Sequence, residues 1–138
     1  MTPELREQLS AAIGDSRDAM LALALRAVGD TPEMAARGYG EEDLRQLLNG
    51  FEALLVEELG GGGGTREFFI GTAIPAMVAD GQSPASLVQG AAMFGALVTS
   101  EIASRVDADA RDDARVWLAS FFGAYCRDVL VAATEAEG

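Results

Sequence analysis

Hydrophobic residues recur along this chain at steps of three and four, a spacing typical of amphipathic helices, and strand-like alternation is nearly absent. The clearest helix lies between Glu41 and Leu59, where three acids at its start suit the helix dipole. Its apolar residues form one continuous stripe: Leu44, Leu47, Leu48, Phe51, Leu54, Leu55 and Leu59. The pattern predicts an all-α fold.

Capping residues, prolines and glycines divide the chain into about six helices. The predicted helices cover about residues 2–13, 16–29, 41–59, 65–79, 84–106 and 108–133, with a short turn of helix from Thr31 to Glu33 and a frayed acidic tail. A length of 138 residues and a hydrophobic content of 49% suit one compact core. We therefore expect a single domain over residues 1–138.

The segment around the fourth helix contains two helix-breaking features. Five glycines, Gly60–Gly64, are followed by Thr65 and Arg66 rather than by the Gly-Lys-Ser/Thr of a phosphate loop, so a flexible connection is favoured. Thr65 is expected to cap the helix that follows. Pro75 lacks a backbone N–H and presses on the carbonyl of Gly71, so this helix should bend or split.

The last two helices carry more apolar surface than one core needs. The fifth has a stripe that includes Leu87 and Phe94, and a second face of mostly small residues; the sixth is apolar almost all round from Val116 to Val131. The short connection at Asp107 predicts that the two helices are antiparallel neighbours.

Two interpretations of this surface stay open. The last helix is central in its own chain, or the last two helices of two chains form a four-helix interface about a two-fold axis. The predicted dimer interface consists of Val88, Ala92, Gly95, Thr99, Phe122, Cys126 and Val129.

Charge and cysteine content limit location and partners. The formal net charge is −12, with 22 acids against 10 basic residues, so we expect no nucleic-acid binding and no adsorption to an anionic membrane. Gly81–Ser100 is uncharged, but its dense apolar part is short, which favours a buried helix over a membrane span. An acidic N-terminus and a single cysteine, Cys126, predict a cytoplasmic protein.

The sequence offers little for catalysis. It has no histidine, which removes imidazole metal sites, Ser-His-Asp triads and haem held by a proximal histidine. The paired acids lie near helix ends, and Glu101, inside an apolar helix, is expected to pair with Arg105 four residues on. We therefore expect no enzyme activity, no cofactor and no metal.

Residues from the fourth helix onward match a family pattern. They are Arg66–Phe69, Met77–Ser83, Leu87, Gly90, Phe94 and Glu101, followed by a last helix with an aromatic centre, Trp117–Tyr125. With these residues the chain resembles the RsbR N-terminal domain family, the haem-free globin-like sensory domains of stressosome proteins. Members of that family usually carry a C-terminal STAS output domain, whereas this sequence stops at Gly138 without one. A stand-alone regulator or adaptor of the stress response is therefore expected.

The resemblance implies a globin-like fold without haem, dimerisation through the last two helices and a signalling role. The main hypothesis is a sensory or regulatory homodimer that holds a small apolar ligand and contacts a regulatory protein. The predicted pocket consists of Phe68, Phe69, Pro75, Met77, Phe94, Trp117 and Phe121. The alternatives are that these residues fill an ordinary core, and that the protein is a helical interaction module without a ligand.

Overall fold

A computed structural model describes residues 1–30, 32, 36 and 40–138, and these residues form helices and no strand. The predicted turn at Thr31–Glu33 lies outside them, apart from Pro32. The helices are α1 (Pro3–Asp15), α2 (Arg17–Asp30), α3 (Glu41–Leu59), α4 (Gly64–Phe68), α5 (Ile74–Ala79), α6 (Pro84–Ala103) and α7 (Arg111–Glu137). A π-helical segment, Phe69–Ala73, joins α4 to α5, and a 3₁₀ turn, Ala108–Ala110, precedes α7. The predicted all-α fold is confirmed.

Two helices begin at the caps that the sequence predicts. The Thr2 hydroxyl accepts a hydrogen bond from the Leu5 N–H at 3.2 Å, with Pro3 in the first turn. The Ser83 hydroxyl accepts one from the Ser86 N–H at 3.1 Å, with Pro84 in the same position. Each hydroxyl satisfies a backbone donor that has no partner within its helix.

The predicted break near Pro75 takes the form of the π-helical segment just before it. The Ile74 N–H donates to the carbonyl of Phe69, five residues back, instead of four. The predicted cap of α4 is wrong by two residues: Gly63 precedes the helix, and Thr65 lies in its first turn. The Thr65 N–H donates instead to the Glu57 carboxylate, at 3.1 and 3.2 Å to its two oxygens.

One apolar core runs through the described residues, with contributions from α1, α2, α3, α5, α6 and α7. Leu9, Ile13, Leu44, Leu55, Ile102 and Leu118 are among its fully buried side chains. The stripe predicted on α3 faces this core, apart from the half-buried Leu47. Helices α6 and α7 form the most extensive helix pair.

Arg111 organises the connection between α6 and α7. Its guanidinium donates to the carbonyl of Ala103 at 3.1 Å and to that of Val106 at 3.3 Å, both near the end of α6. The Arg111 guanidinium thus supplies hydrogen-bond donors to carbonyls at the end of the helix. Helix α6 ends at Ala103, whereas the sequence predicted an end at Val106. The last helix continues to Glu137, four residues beyond the predicted end at Ala133.

The last two helical stretches are also long and apolar enough to cross a membrane. Pro84–Ala103 and Ala108–Glu137 meet that criterion, and 28% and 33% of their most apolar windows are buried inside the protein. Length and composition are shared by membrane spans and by core helices. Much of the surface of both helices is therefore free to contact something else.

Candidate ligand cavity and the groove between α6 and α7

A cavity of about 540 Å³ lies between α3, α5, α6 and α7. Its volume falls in the range typical of small-molecule sites, roughly 300–1,000 Å³. The described residues that line it are Pro32, Leu47, Phe51, Phe69, Ile74, Met77, Gln82, Ser86, Leu87, Gln89, Gly90, Ala91, Met93, Phe94, Tyr125 and Val129.

The aromatic rings that form one wall of this cavity contact one another. The Phe51 ring centroid lies 5.6 Å from that of Phe94 in a stacked arrangement and 5.8 Å from that of Tyr125 at an edge. Phe69 stacks on Tyr125 at 6.1 Å. These are the distances at which aromatic pairs attract each other beyond their buried area.

The π-helical segment forms one side of the cavity. Phe69 and Ile74, the residues joined by its five-residue hydrogen bond, both line the space. Single π-helical turns are frequent at functional sites because they displace a side chain from its ordinary helical position. The break imposed by Pro75 therefore shapes the cavity even though Pro75 itself is not part of the lining.

Tyr125 supplies a hydroxyl that no described residue bonds. Only 1% of this residue is exposed, and its hydroxyl forms no hydrogen bond with the residues that the structure describes. Every fully buried side-chain oxygen or nitrogen of those residues has a partner, so the hydroxyl keeps a small contact with solvent, and Tyr125 is a lining residue of the cavity. Burial raises the pKa of Tyr125 well above its ordinary value, and it therefore remains a protonated donor.

The other polar groups lie towards solvent. Gln82 and Ser86 are half-buried and Gln89 is exposed, whereas Phe51, Ile74 and Phe94 are buried. The described lining contains no acid and no basic residue. The space is thus apolar and buried at one end, with uncharged polar groups at the other.

The structure places only some of the predicted pocket residues at the cavity. Phe69, Met77 and Phe94 line the cavity, and Phe68, Pro75, Trp117 and Phe121 do not. Phe68 is 66% exposed. Trp117 stacks on Phe121 at 6.0 Å, and Phe121 stacks on Tyr125 at 6.1 Å, so these two residues support the wall from behind.

Arg66 attaches α4 to the back of this aromatic stack. Its guanidinium pairs with Asp128 at 2.5 Å and with Glu58 at 3.8 Å, and its central carbon lies 5.6 Å from the Phe121 ring centroid. A cation over an aromatic face adds to the two ion pairs. The arginine thereby fixes the start of the α4–α5 segment against α7.

A shallow groove separates α6 and α7 on the outer surface. The described residues along it are Ala92, Gly95, Ala96, Thr99, Ser100, Ser104, Arg115, Ala119, Phe122, Gly123 and Cys126. Five of the seven predicted interface residues lie here. Val88 is not among them, and Val129 is 1% exposed and faces the cavity instead, because the stripe it shares with Tyr125 is turned inward.

The acid inside α6 and the single cysteine have ordinary structural settings. Glu101 pairs with Arg105 at 2.7 Å, as predicted. Burial raises the pKa of the Cys126 thiol, which disfavours the reactive thiolate. Across residues 1–30, 32, 36 and 40–138, no group of three or more cysteines and acids is placed to hold a metal ion.

Comparisons with protein-family models, with curated proteins and with solved structures found no match. The resemblance to the RsbR N-terminal domain family therefore stays a prediction from the sequence, and the cavity and the groove have to be interpreted from their own chemistry.

Proposed function

We propose that this chain is a non-enzymatic sensory domain that binds a small apolar ligand in the cavity between α3, α5, α6 and α7. It acts in the cytoplasm as a homodimer, without haem, and its globin-like signalling role follows the resemblance of its C-terminal half to stressosome sensors. The acidic surface, with a net charge of −12, favours a regulatory protein partner with a basic face.

The observation that carries this proposal is the cavity itself. Protein interiors are packed nearly as tightly as organic crystals, whereas this space of about 540 Å³, which opens to solvent at one end, leaves part of its lining without protein contacts. A ligand that fills it gains those contacts and displaces poorly bonded water. The alternative that the sequence left open, in which these residues fill an ordinary core, predicts that no ligand is retained.

Native mass spectrometry of freshly purified protein tests this proposal. We expect a second species, heavier than the chain by the mass of one small molecule, that disappears when the protein is unfolded and extracted with organic solvent. Ala91 is 8% exposed and lines the cavity, so Ala91→Leu should place its side chain in the ligand's space and abolish the heavier species.

Ala85→Leu is the matched control because Ala85 lies on the same helix, is exposed and lines neither site. It should retain the ligand like the wild type. If the wild type carries no small molecule and also binds none from a library of uncharged metabolites, the sensory proposal is wrong.

The homodimer is supported by the groove between α6 and α7. Its lining consists mostly of small residues and Phe122, and α7 also exposes Val116, Leu130 and Val131, which are 66%, 46% and 50% accessible. Small side chains allow helices to approach closely. A second copy of the chain presents the same groove, as a two-fold interface requires.

Light scattering coupled to size-exclusion chromatography tests the dimer. We expect twice the chain mass at tens of micromolar, and the chain mass alone for Ala92→Arg, which places a charge in the groove. Ala53→Arg makes the same substitution on the exposed face of α3 and should remain dimeric. A wild-type monomer would instead favour the interaction module that lacks this symmetry.

A further inference from the structure

The hydroxyl of Tyr125 imposes a requirement on whatever enters the cavity. Only 1% of Tyr125 is exposed, no described residue bonds its hydroxyl, and no fully buried polar atom of the described residues lacks a partner, so the hydroxyl keeps a small contact with water. A ligand that fills the cavity displaces that water and has to replace its hydrogen bond, because an unpaired buried hydroxyl is unfavourable. The Tyr125 ring itself contacts the rings of Phe51, Phe69, Phe121 and Phe122, none of which accepts a conventional hydrogen bond.

The charge of the lining imposes a second requirement. None of the described residues around the cavity is acidic or basic. Arg66 contacts the Phe121 ring, does not line the cavity and is already paired with Asp128 and Glu58. Among the described lining residues, an ionised ligand would lose its hydration without gaining a counter-charge, which is strongly unfavourable.

We infer that the ligand is an uncharged molecule with an apolar body and a single hydrogen-bond acceptor that meets the hydroxyl of Tyr125. This inference rests on the proposed function and adds the chemical class to it. Ketones, esters, ethers and uncharged aromatic heterocycles have the required chemistry. Fatty-acid carboxylates and phosphorylated metabolites do not.

Three naphthalenes of similar shape separate these properties. 2-Acetylnaphthalene carries a neutral acceptor, 2-isopropenylnaphthalene replaces that acceptor by a methylene group, and 2-naphthoate carries a negative charge. Isothermal titration calorimetry on the full chain should rank their affinities in that order. A net hydrogen bond is expected to favour the ketone over the hydrocarbon by roughly 3- to 10-fold.

Tyr125→Phe removes the hydroxyl and keeps the ring that packs against Phe51 and Phe69. The ketone should lose its advantage of roughly 3- to 10-fold over the hydrocarbon. Ser86→Ala is the matched control, because it removes a hydroxyl from the half-buried polar end of the same cavity. It should preserve the preference for the ketone.

The outcomes of these titrations distinguish the inferred ligand class from the proposed ligand-binding function. Equal affinities of the ketone and the hydrocarbon for the wild type, tighter binding of the naphthoate, or loss of the preference in Ser86→Ala instead of Tyr125→Phe would each overturn the ligand class and leave a ligand cavity standing. If none of the three compounds binds the wild type, the ligand class is wrong, and the proposed function fails with it when no small molecule co-purifies with the protein either.

Discussion

Phe51 and Phe68 carry the same side chain in opposite surroundings. Phe51 is 6% exposed and contacts the rings of Phe94, Phe122 and Tyr125. Phe68 is 66% exposed and takes part in no ring contact among the described residues. Burial, not side-chain identity, decides what each residue contributes to stability.

The same substitution at these two positions should therefore have very different effects. Phe51→Ala should lower the free energy of unfolding by about 3–5 kcal/mol, because it deletes the centre of the aromatic cluster. Phe68→Ala should change it by no more than about 0.5 kcal/mol. Urea unfolding followed by circular dichroism measures both, and similar losses at both positions would contradict the burial assigned here.

Sequence patterns identified the apolar residues but not which of them share a space. Phe69, Met77 and Phe94 were selected because they flank the break at Pro75, and they do line the cavity. Tyr125, Phe51 and Val129 were not selected, since each falls on a regular helical stripe that predicts core packing as well as a cavity wall. Phe68 is exposed and its neighbour Phe69 is half-buried, a difference that the run of apolar residues Phe68–Ile70 does not show.

At the scale of elements, the approach of α6 to α7 depends on Gly95. A Cβ atom built on Gly95 would lie 2.9 Å from the Phe122 ring and 3.2 Å from the Phe122 Cβ, which is attached directly to the backbone of α7. Gly90 lies on the same helix, and a Cβ there would meet nothing within 4 Å. Only the first glycine is required by packing.

Alanine substitutions at these two glycines should have opposite signs. Gly95→Ala should destabilise the protein by about 1–3 kcal/mol because the two helices must move apart. Gly90→Ala should stabilise it by up to about 1 kcal/mol because alanine is a better helix former. Differential scanning calorimetry compares the two variants, and a stabilising Gly95→Ala would show that the helices are not in close contact.

The glycine-rich connection between α3 and α4 closes around Glu57. Its carboxylate accepts the Thr65 N–H, and Gly61 adopts a positive φ of 83° that favours glycine. The hydrogen bonds from Thr65 are the main reason that the pKa of Glu57 is lowered from its ordinary value of 4.5. Because the Glu57 carboxylate already accepts the Thr65 N–H, this donor is not free to bind an anion. The glycine-rich connection therefore has a structural role.

This contact should contribute stability above the ordinary pKa of a glutamate and lose it as the pH falls through the lower value in the folded protein. The melting temperature of Glu57→Gln should therefore lie below that of the wild type at neutral pH, and the difference should shrink below pH 4.5. Glu67→Gln, an exposed acid of α4, serves as the control and should show no such convergence. A difference independent of pH would contradict the role of the charge.

The order and approximate bounds of the helices followed from caps, prolines and glycines, while their ends depended on long-range contacts. Thr65 was predicted as a cap because a hydroxyl before a helix usually is one, but the Glu57 side chain, eight residues earlier, takes its N–H. The early end of α6 depends on Arg111 in the next helix. Neither contact has a local sequence signal.

For the whole molecule, the surplus of apolar surface on the last two helices is divided between an inner and an outer site. One face of α6 and α7 lines the cavity through residues such as Ala91 and Tyr125, and another forms the groove around Gly95 and Phe122. The sequence left open whether the last helix is central in its own chain or available to a second one. Its described residues include buried positions such as Leu118 and exposed positions such as Val116.

A shared pair of helices offers a physical route between the two sites. Tyr125 faces the cavity, and Phe122 and Cys126, its neighbours on α7, face the groove. A ligand that moves Tyr125 therefore moves the helix that carries the proposed dimer surface. The proposed ligand binding and the inferred ligand class both depend on the cavity being open space that can accept added atoms.

The free energy of unfolding of ligand-free Ala91→Leu tests that claim most directly. If the cavity is open, the larger side chain enters it, and the free energy of unfolding equals or exceeds that of the wild type. If the space is filled by the protein's own side chains, overpacking should lower it by about 1–3 kcal/mol. Urea unfolding beside the exposed control Ala85→Leu distinguishes the two results, and a loss of that size confined to Ala91→Leu would contradict the account.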